Sequence, residues 1–203
     1  TVDRTTNGSG RVRDMLSADL LRLEAGRPGP SSEVRARLRA LGVAEPSFGD
    51  RFAGENVPTL EQVLRLPGSR LMIEIKSDAR AELVAQRVLE EIERAGAGDR
   101  VSIASFDRAI LERAHALDPS IPLVGAAKTK RAIDGKLELP VHALAVRPAL
   151  AKAALKKAPR GVEVWVYRVY TPEQAGYLAR SGVHGIITDA PAQTLRLLRP
   201  QND

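Results

Sequence analysis

The most informative stretch of the sequence places two opposite charges in an apolar segment. Residues 71–76 read Leu-Met-Ile-Glu-Ile-Lys. Because side chains alternate along a strand, Glu74 and Lys76 are expected on one face, with Ile73 and Ile75 on the other. An unpaired charge in a core segment costs on the order of several kcal/mol, so such residues usually pair, bind a metal ion or bind an ionic substrate. A strand end at which both charged groups reach water is an equal alternative.

The elements that would position this strand follow one another regularly after Pro58. Capping boxes at 59–62 and 171–174 predict two helix starts, since Thr and Gln at this spacing can bond each other's backbone N–H groups. The alternation of strands and helices predicts an α/β fold with a parallel sheet and right-handed crossovers. Further helices are predicted over 79–95, 107–117, 148–157 and 192–198, and strands over 71–76, 101–105, 121–125, 143–146, 162–167 and 186–188.

Two arrangements of such a sheet fit this pattern, a doubly wound open sheet and a (β/α) barrel. No glycine-rich dinucleotide-binding fingerprint opens any predicted helix. Polar residues such as Lys76, Ser105 and Asp189 stand at the carboxyl ends of predicted strands, which favours a barrel because its chemistry lies on that face. A barrel needs eight strands, and six are predicted.

The region before Pro58 is polar and irregular. Within it, Asn7-Gly8 predicts a type I′ turn, and short helices are predicted over 16–23 and 33–41. We expect one domain overall, in which residues 1–57 form an insertion region and residues 58–203 form six βα units.

Composition limits the classes of partner. The formal charge of +6 suits an anionic ligand, although a solvated arginine-rich surface explains it more simply. Aromatic residues make up only 3% of the chain, which argues against a nucleic-acid surface built on base stacking. No apolar run approaches the ~20 residues that cross a bilayer. We therefore expect a small-molecule partner, no nucleic acid and no transmembrane segment.

Six segments, in order along the chain, resemble motifs of the glycerophosphodiester phosphodiesterase family. Together they span nearly the whole sequence, and their order and spacing make the resemblance specific. They are residues 3–10 (DRTTNGSG), 54–61 (GENVPTLE), 73–76 (IEIK), 105–107 (SFD), 164–166 (VWV) and 182–191 (GVHGIITDAP).

The resemblance implies a TIM (β/α)8 barrel of the PLC-like phosphodiesterase type and a phosphoric diester hydrolase. Such enzymes convert glycerophosphodiesters to glycerol 3-phosphate and an alcohol with the help of Mg²⁺ or Ca²⁺. By position, Glu74 corresponds to a metal ligand and Lys76 to the catalytic cation that neutralises the phosphate. Phe106 and Trp165 match positions that line the substrate pocket. Arg4 is a candidate contact to an anionic group, with a salt bridge that pins its loop as the alternative.

The chain also departs from the family pattern. The family's HRG, ExD and HD motifs, which carry both catalytic histidines and two metal carboxylates, are expected upstream of Thr1, together with the first two barrel strands. We therefore expect the 203 residues to be inactive by themselves. The chain's own His115, His142 and His184 are expected to have structural or surface roles, because catalysis requires hydrogen-bond reach to the phosphate.

Two further expectations concern the insertion in the first part of the chain and the alternative to an enzyme. The segment 27–51 is longer than the family's usual linker, and a tolerated surface expansion is preferred over a role at the site mouth. The alternative to an enzyme is a non-catalytic barrel remnant or binding protein. The genomic sequence upstream of Thr1 would distinguish the two, since an enzyme requires the three motifs there.

Overall fold

A computed structural model describes residues 1–3, 5–26, 39, 51–68, 70–77, 80–189 and 191–198. The chain divides into two compact units, Thr1–Val63 and Leu64–Asp203. The predicted site residue Arg4 lies outside the described residues, as do the predicted helix 33–41, apart from Arg39, and nearly all of the 27–51 insertion. The predicted division of one domain at residue 57 stays a prediction.

The second unit alternates strands and helices along its whole length. Its strands are β1 (Leu71–Glu74), β2 (Val101–Ser105), β3 (Leu123–Ala127), β4 (Ala143–Val146), β5 (Glu163–Val169) and β6 (Gly185–Thr188). The α-helices whose bounds the structure describes are α1 (Ser17–Leu20), α2 (Leu60–Leu64), α3 (Ala81–Arg94), α4 (Arg108–Leu117), α5 (Lys130–Leu137), α6 (Ala151–Lys157), α7 (Pro172–Arg180) and α8 (Pro191–Leu198). Within the described ranges, none of the helices has the length and apolar character needed to span a membrane.

The six described strands form one parallel sheet in which each strand pairs with the next along the chain. The register aligns Ile73 with Ile103 and Ile103 with Leu123. Because parallel crossovers are right-handed, this sequential order places the connecting helices on one face of the sheet. The predicted α/β fold with a parallel sheet is therefore confirmed, and the sequential order is the one that a barrel requires.

The two faces of the sheet differ in residue size. Gly125 faces α5, where an added Cβ would come 2.9 Å from Lys136 Cβ, so its strand neighbours Val124 and Ala126 face away from the helices. On the helix-covered face the largest buried side chains include Ile103, Leu123, Leu144, Val146, Val164 and Val166. On the opposite face the buried residues are small, namely Ala104, Val124, Ala126, Ala143 and Ala145. Small residues there leave room above the sheet.

Both predicted capping boxes mark helix starts. Thr59 N–H donates to the Gln62 side chain (2.8 Å) and Gln62 N–H donates to Thr59 Oγ1 (3.1 Å) at the start of α2. At α7, Gln174 N–H donates to Thr171 Oγ1 (3.1 Å), whereas the Gln174 amide oxygen accepts from Tyr170 N–H. The second box thus closes one residue further back than the pattern predicts.

Helix α5 is an element that sequence patterning missed. It begins after Thr129, whose side chain accepts a hydrogen bond from Ala132 N–H (3.1 Å). The short segment contains Gly135, which lowers helix propensity, and it ends at the Leu137–Glu138 boundary close to Pro140. Packing of Ile133 and Lys136 in the interior stabilises it in place of propensity.

In the first unit, Asn7 and Gly8 do not form the predicted type I′ turn. That turn requires positive φ at both central residues, and neither residue has it. Instead, Asn7 pairs with Glu24: its N–H donates to the Glu24 carbonyl (3.0 Å) and its side-chain oxygen accepts from Glu24 N–H (2.9 Å). Gly8 lies against Leu23, where an added Cβ would approach within 2.7 Å. The dipeptide therefore joins two segments rather than turning a hairpin.

Candidate functional site

A cavity of about 490 Å³ opens at the carboxyl ends of the strands of the second unit. Its floor is made by the small residues Ala104, Ala126 and Ala145. Functional side chains stand around this floor and come from five successive strands or the residues just after them. They are Glu74, Lys76, Phe106, Lys128, Arg147, Tyr167 and Arg168.

Glu74 and Lys76 pair with each other at the edge of the cavity. The distance from Lys76 Nζ to Glu74 Oε1 is 2.5 Å. The Glu74 side chain is 32% exposed and the Lys76 side chain is 77% exposed. Both readings of the sequence therefore hold together: the charges form an ion pair, and they reach water at a strand end. Because the pair is exposed, it adds little to stability, and its charges are accessible to a ligand.

Hydrogen bonds from the turn after β2 hold the segment that carries these charges. Ser105 Oγ donates to the Ile75 carbonyl (2.8 Å) and accepts from Asp107 N–H (3.0 Å). Ser77 Oγ donates to the Asp107 carboxylate (2.7 Å), which also caps α4 by accepting from Ala109 N–H (3.0 Å). The Ser-Phe-Asp motif thus fixes the position of Lys76 relative to Phe106.

Phe106 forms the centre of the cavity wall. The Lys128 ammonium lies 4.5 Å from the centroid of the Phe106 ring, a cation–π geometry. Tyr167 meets the same ring edge-on, with centroids 5.8 Å apart. The Tyr167 hydroxyl donates to the carbonyl of Ala127 (3.3 Å), so it also positions the residue that precedes Lys128.

A β-bulge brings Arg168 to the cavity. Tyr167 pairs with Ile187 and Val169 with Thr188, which leaves Arg168 as the extra residue of β5. Its φ is +60°, a left-handed conformation that costs a non-glycine residue about 1–2 kcal/mol. Bulges of this kind redirect side chains next to functional sites. Val169 stays buried, while Arg168 lines the cavity.

Trp165 lies one layer deeper in the sheet than Tyr167 and does not line this cavity. Its Nε1–H donates to the Glu163 carboxylate (2.6 Å), and its ring contacts His142 edge-on. Gly185 makes room for it, because an added Cβ would come 2.7 Å from the ring. The structure therefore brings together Glu74, Lys76 and Phe106 of the predicted set, and Tyr167 stands where Trp165 was expected.

The two histidines nearest the sheet lie at its amino-terminal end. His142 Nδ1 is 2.7 Å from the carbonyl of Leu123, and His184 Nδ1 accepts from Val164 N–H (3.0 Å). Both bonds connect neighbouring strands, on the opposite end from the cavity. This agrees with the expected structural roles.

Sequence reasoning missed two cations, Lys128 and Arg147. A signal was available, because Lys128 continues the alternation of Val124 and Ala126, and Arg147 occupies the corresponding place after β4. Predicting β3 two residues too early, at 121–125, concealed the position of Lys128. A strand that ends at Ala127 places Lys128 directly beyond it on the cavity side.

The described side chains do not complete a metal centre. Among them, no three His, Cys, Asp or Glu residues come close enough together to hold an ion. Glu74 is the single carboxylate among the described residues around the cavity, and it accepts a hydrogen bond from Lys76. Its oxygens suit Mg²⁺ or Ca²⁺, so Glu74 fits the role of one ligand and no more.

Sequence comparisons give consistent relatives. A sequence model of the glycerophosphoryl diester phosphodiesterase family matches residues 1–193. A glycerophosphodiester phosphodiesterase from Caldanaerobacter subterraneus subsp. tengcongensis is 28% identical over 210 residues, covering 98% of this chain and 77% of that protein. A glycerophosphodiester phosphodiesterase from Bacillus subtilis is 29% identical, covering 94% of this chain and 67% of that protein.

Solved structures share the fold. An Oleispira antarctica phosphodiesterase, in complex with the product sn-glycerol-3-phosphate, superimposes with a TM-score of 0.79 at 19% identity, covering 96% of this chain and 75% of the other. A glycerophosphodiester phosphodiesterase from Agrobacterium tumefaciens gives a TM-score of 0.64 at 23% identity, covering 97% of this chain and 77% of the other. At such identities the likeness speaks for the fold alone.

Proposed function

Because the chain belongs to the glycerophosphoryl diester phosphodiesterase family, we propose that its cavity binds the phosphate of a glycerophosphodiester for metal-dependent hydrolysis to glycerol 3-phosphate and an alcohol. The observation that carries this proposal is the Glu74–Lys76 pair. It lies at the carboxyl end of β1, on the rim of a cavity that Phe106 also lines. When such an exposed ion pair separates, the carboxylate can bind a metal ion and the ammonium can bind a phosphate.

Lys76 would neutralise the phosphate, because an ammonium is a compact charge that donates up to three hydrogen bonds to phosphate oxygens. Binding then requires Lys76 to turn from Glu74 toward the substrate, which frees the carboxylate. Phe106 would support the carbon skeleton of the glycerol moiety. Substrate contacts by Trp165 and Arg4 stay predictions, and Tyr167 is the better placed aromatic partner for Phe106.

Glu74 would then serve as one ligand of Mg²⁺ or Ca²⁺. Mg²⁺ in particular is commonly held by one or two carboxylates together with substrate phosphate oxygens and water. When bound, the cation supplies Lewis-acid polarisation of the phosphoryl oxygen. The chain's own residues contribute the binding and orientation of the phosphate.

We infer that the complete fold is a (β/α)8 barrel of the PLC-like type, supported by the sequential parallel order of the six described strands. The absence of the first two barrel strands from the chain and the inactivity of the 203 residues by themselves stay predictions. The predicted inactivity is tested by turnover, separately from ligand binding.

The binding test is calorimetric titration of sn-glycerol 3-phosphate into the 203-residue chain, with and without Mg²⁺ or Ca²⁺. We expect Lys76→Ala to weaken binding about tenfold or more, since hydrogen bonds to charged groups are worth at least that factor. Glu74→Gln should abolish the enhancement by the metal. Lys152→Ala, an exposed change on α6 away from the cavity, is the matched control. Wild-type affinity in Lys76→Ala, or no binding by the unaltered chain, would contradict the proposal.

The turnover test uses glycerophosphocholine and glycerophosphoserine with the same metals. We expect no release of glycerol 3-phosphate from the chain alone. Turnover that Glu74→Gln abolishes would disprove the expected inactivity and support the enzymatic function directly.

A further inference from the structure

The cavity carries more positive charge than one phosphodiester can use. Among the described residues, four cationic side chains line it, Lys76, Lys128, Arg147 and Arg168, against the single carboxylate of Glu74. A phosphodiester has one negative charge, and Lys76 lies beside Glu74 to meet it. Lys128, Arg147 and Arg168 lie on the other side of the cavity.

These three cations form a separate cluster. Lys128 follows β3, Arg147 follows β4 and Arg168 sits in the bulge of β5. Neighbouring strands lie ~5 Å apart, so Lys128 stands two strand spacings, roughly 10 Å along the sheet, from the end of β1. Adjacent strands thus present like charges to one cavity, an arrangement that repels itself.

The cluster is built rather than incidental. The Lys128 ammonium is held over Phe106, and the Tyr167 hydroxyl binds the carbonyl just before it. Within the described part of the chain, neither Lys128 nor Arg147 forms an ion pair with a carboxylate. Arg168 reaches the cavity only through a left-handed backbone conformation. Strain of this kind is typical of functional sites.

The same arrangement disfavours a cationic head group. A quaternary or primary ammonium is usually recognised by an aromatic face or a carboxylate. In this cavity the Lys128 ammonium already lies over the Phe106 ring, and Glu74, beside Lys76 at the end of β1, is assigned to the metal ion. A choline or ethanolamine group would meet three like charges instead.

We propose that the substrate is a glycerophosphodiester whose alcohol carries a second anionic group, bound by Lys128 and Arg147 with Arg168 adjacent. This inference rests on the proposed function, because it takes Lys76 as the site of the scissile phosphate. The second group is a phosphate or a carboxylate, since both accept charge-assisted hydrogen bonds from lysine and arginine.

The test compares affinities of intact diesters for the 203-residue chain by calorimetry at low ionic strength. Bis(glycerophospho)glycerol supplies a second phosphate, glycerophosphoserine a carboxylate together with an ammonium group, and glycerophosphocholine a cation alone. We expect at least one anionic diester to bind about tenfold or more tightly than glycerophosphocholine, the factor expected for one charged hydrogen bond. Whichever anionic diester binds more tightly identifies the second group.

Variants assign the preference to the cluster. The affinity for the preferred anionic diester is divided by the affinity for glycerophosphocholine. Lys128→Gln and Arg147→Gln should each reduce this ratio severalfold, and Lys152→Gln should leave it unchanged. Lys128 and Arg147 are both exposed, and thermal unfolding of each variant checks that the fold persists. A ratio that survives in both variants, or equal binding of all three diesters, overturns this inference and leaves the proposed function intact. Failure of every diester and of sn-glycerol 3-phosphate to bind overturns both.

Discussion

The two faces of the sheet in the second unit treat lysine in opposite ways. On the helix-covered face, Lys136 is only 4% exposed, and its Nζ has no hydrogen-bond partner within the described residues. On the cavity face, Lys128 is exposed and lies over an aromatic ring. Burial without a partner is a cost to stability, whereas exposed cations around a cavity cost little and offer binding. The charge on the helix-covered face therefore lowers stability, whereas the charges on the cavity face are available to bind a ligand.

The largest expected change in stability is on the helix-covered face of the sheet. Ile103→Ala should lower the free energy of unfolding by about 2–5 kcal/mol, because Ile103 is fully buried in the sheet and its loss leaves a cavity. Urea denaturation measures the change. Lys128→Ala on the cavity face is the matched substitution, and it should stay within about 0.5 kcal/mol of wild type. Equal losses at both positions would show that the cavity face also carries the core.

A second prediction concerns the cost of the buried amine. Lys136→Met should raise the free energy of unfolding at about pH 7 by about 1–3 kcal/mol, since it replaces an unsatisfied buried donor by a thioether of similar length. Lys152→Met, an exposed change on α6, should have no comparable effect. An unchanged or lower stability in Lys136→Met would mean that the ammonium has a compensating interaction.

The pH dependence gives this prediction a second measurement. Burial lowers the pKa of Lys136, while Asp107 and Glu112 raise it and Arg108 lowers it. Between the lowered folded pKa and the ordinary value of 10.5, the unfolded chain binds more protons than the folded one. The stability of the wild type should therefore rise toward alkaline pH relative to Lys136→Met, so the gap between them narrows. Denaturation at about pH 7 and about pH 10 measures that gap.

The smallest effect is expected at the bulge. Arg168→Gly should raise the free energy of unfolding by up to about 1 kcal/mol, because glycine adopts positive φ without strain. Arg147→Gly should instead lower the free energy of unfolding. The φ of Arg147 is −73°, so glycine relieves no strain there and only raises the conformational entropy of the unfolded chain. Denaturant midpoints of the two variants should move in opposite directions. Movement in the same direction would show that Arg168 is not strained.

The sequence predicted the cavity edge better than its far wall. Glu74, Lys76 and Phe106 are predictable because charges in an apolar run and a short motif that resembles a family pattern are visible at short range. Trp165 and Tyr167 lie on the same face of β5, and periodicity alone does not say which of them stands at the level of the cavity. That level depends on the register of β5 with its neighbours, in which Trp165 pairs with Ala145 and Tyr167 with Ile187, and a local pattern does not show this register.

Other errors have similar causes. Strand β3 was placed two residues early because Ile121 and Pro122 open the apolar run, whereas Gly125, Ala126 and Ala127 have weak strand propensity. They form a strand because they pair in register with β2 and β4, which are contacts between separate parts of the sequence. Asn7-Gly8 is a strong hairpin signal, and its bonds to Glu24 override it. Capping boxes were predictable because both partners lie within four residues.

The sequential order of the strands has an evolutionary consequence. Each of the successive βα units contributes its own side chain to the cavity: Lys76, Phe106, Lys128, Arg147 and Arg168 come from five different units. A point mutation at one strand end can therefore alter one wall of the cavity while the neighbouring units keep their register. Ligand preference in such a scaffold can change one unit at a time, while the backbone of the other units stays the same.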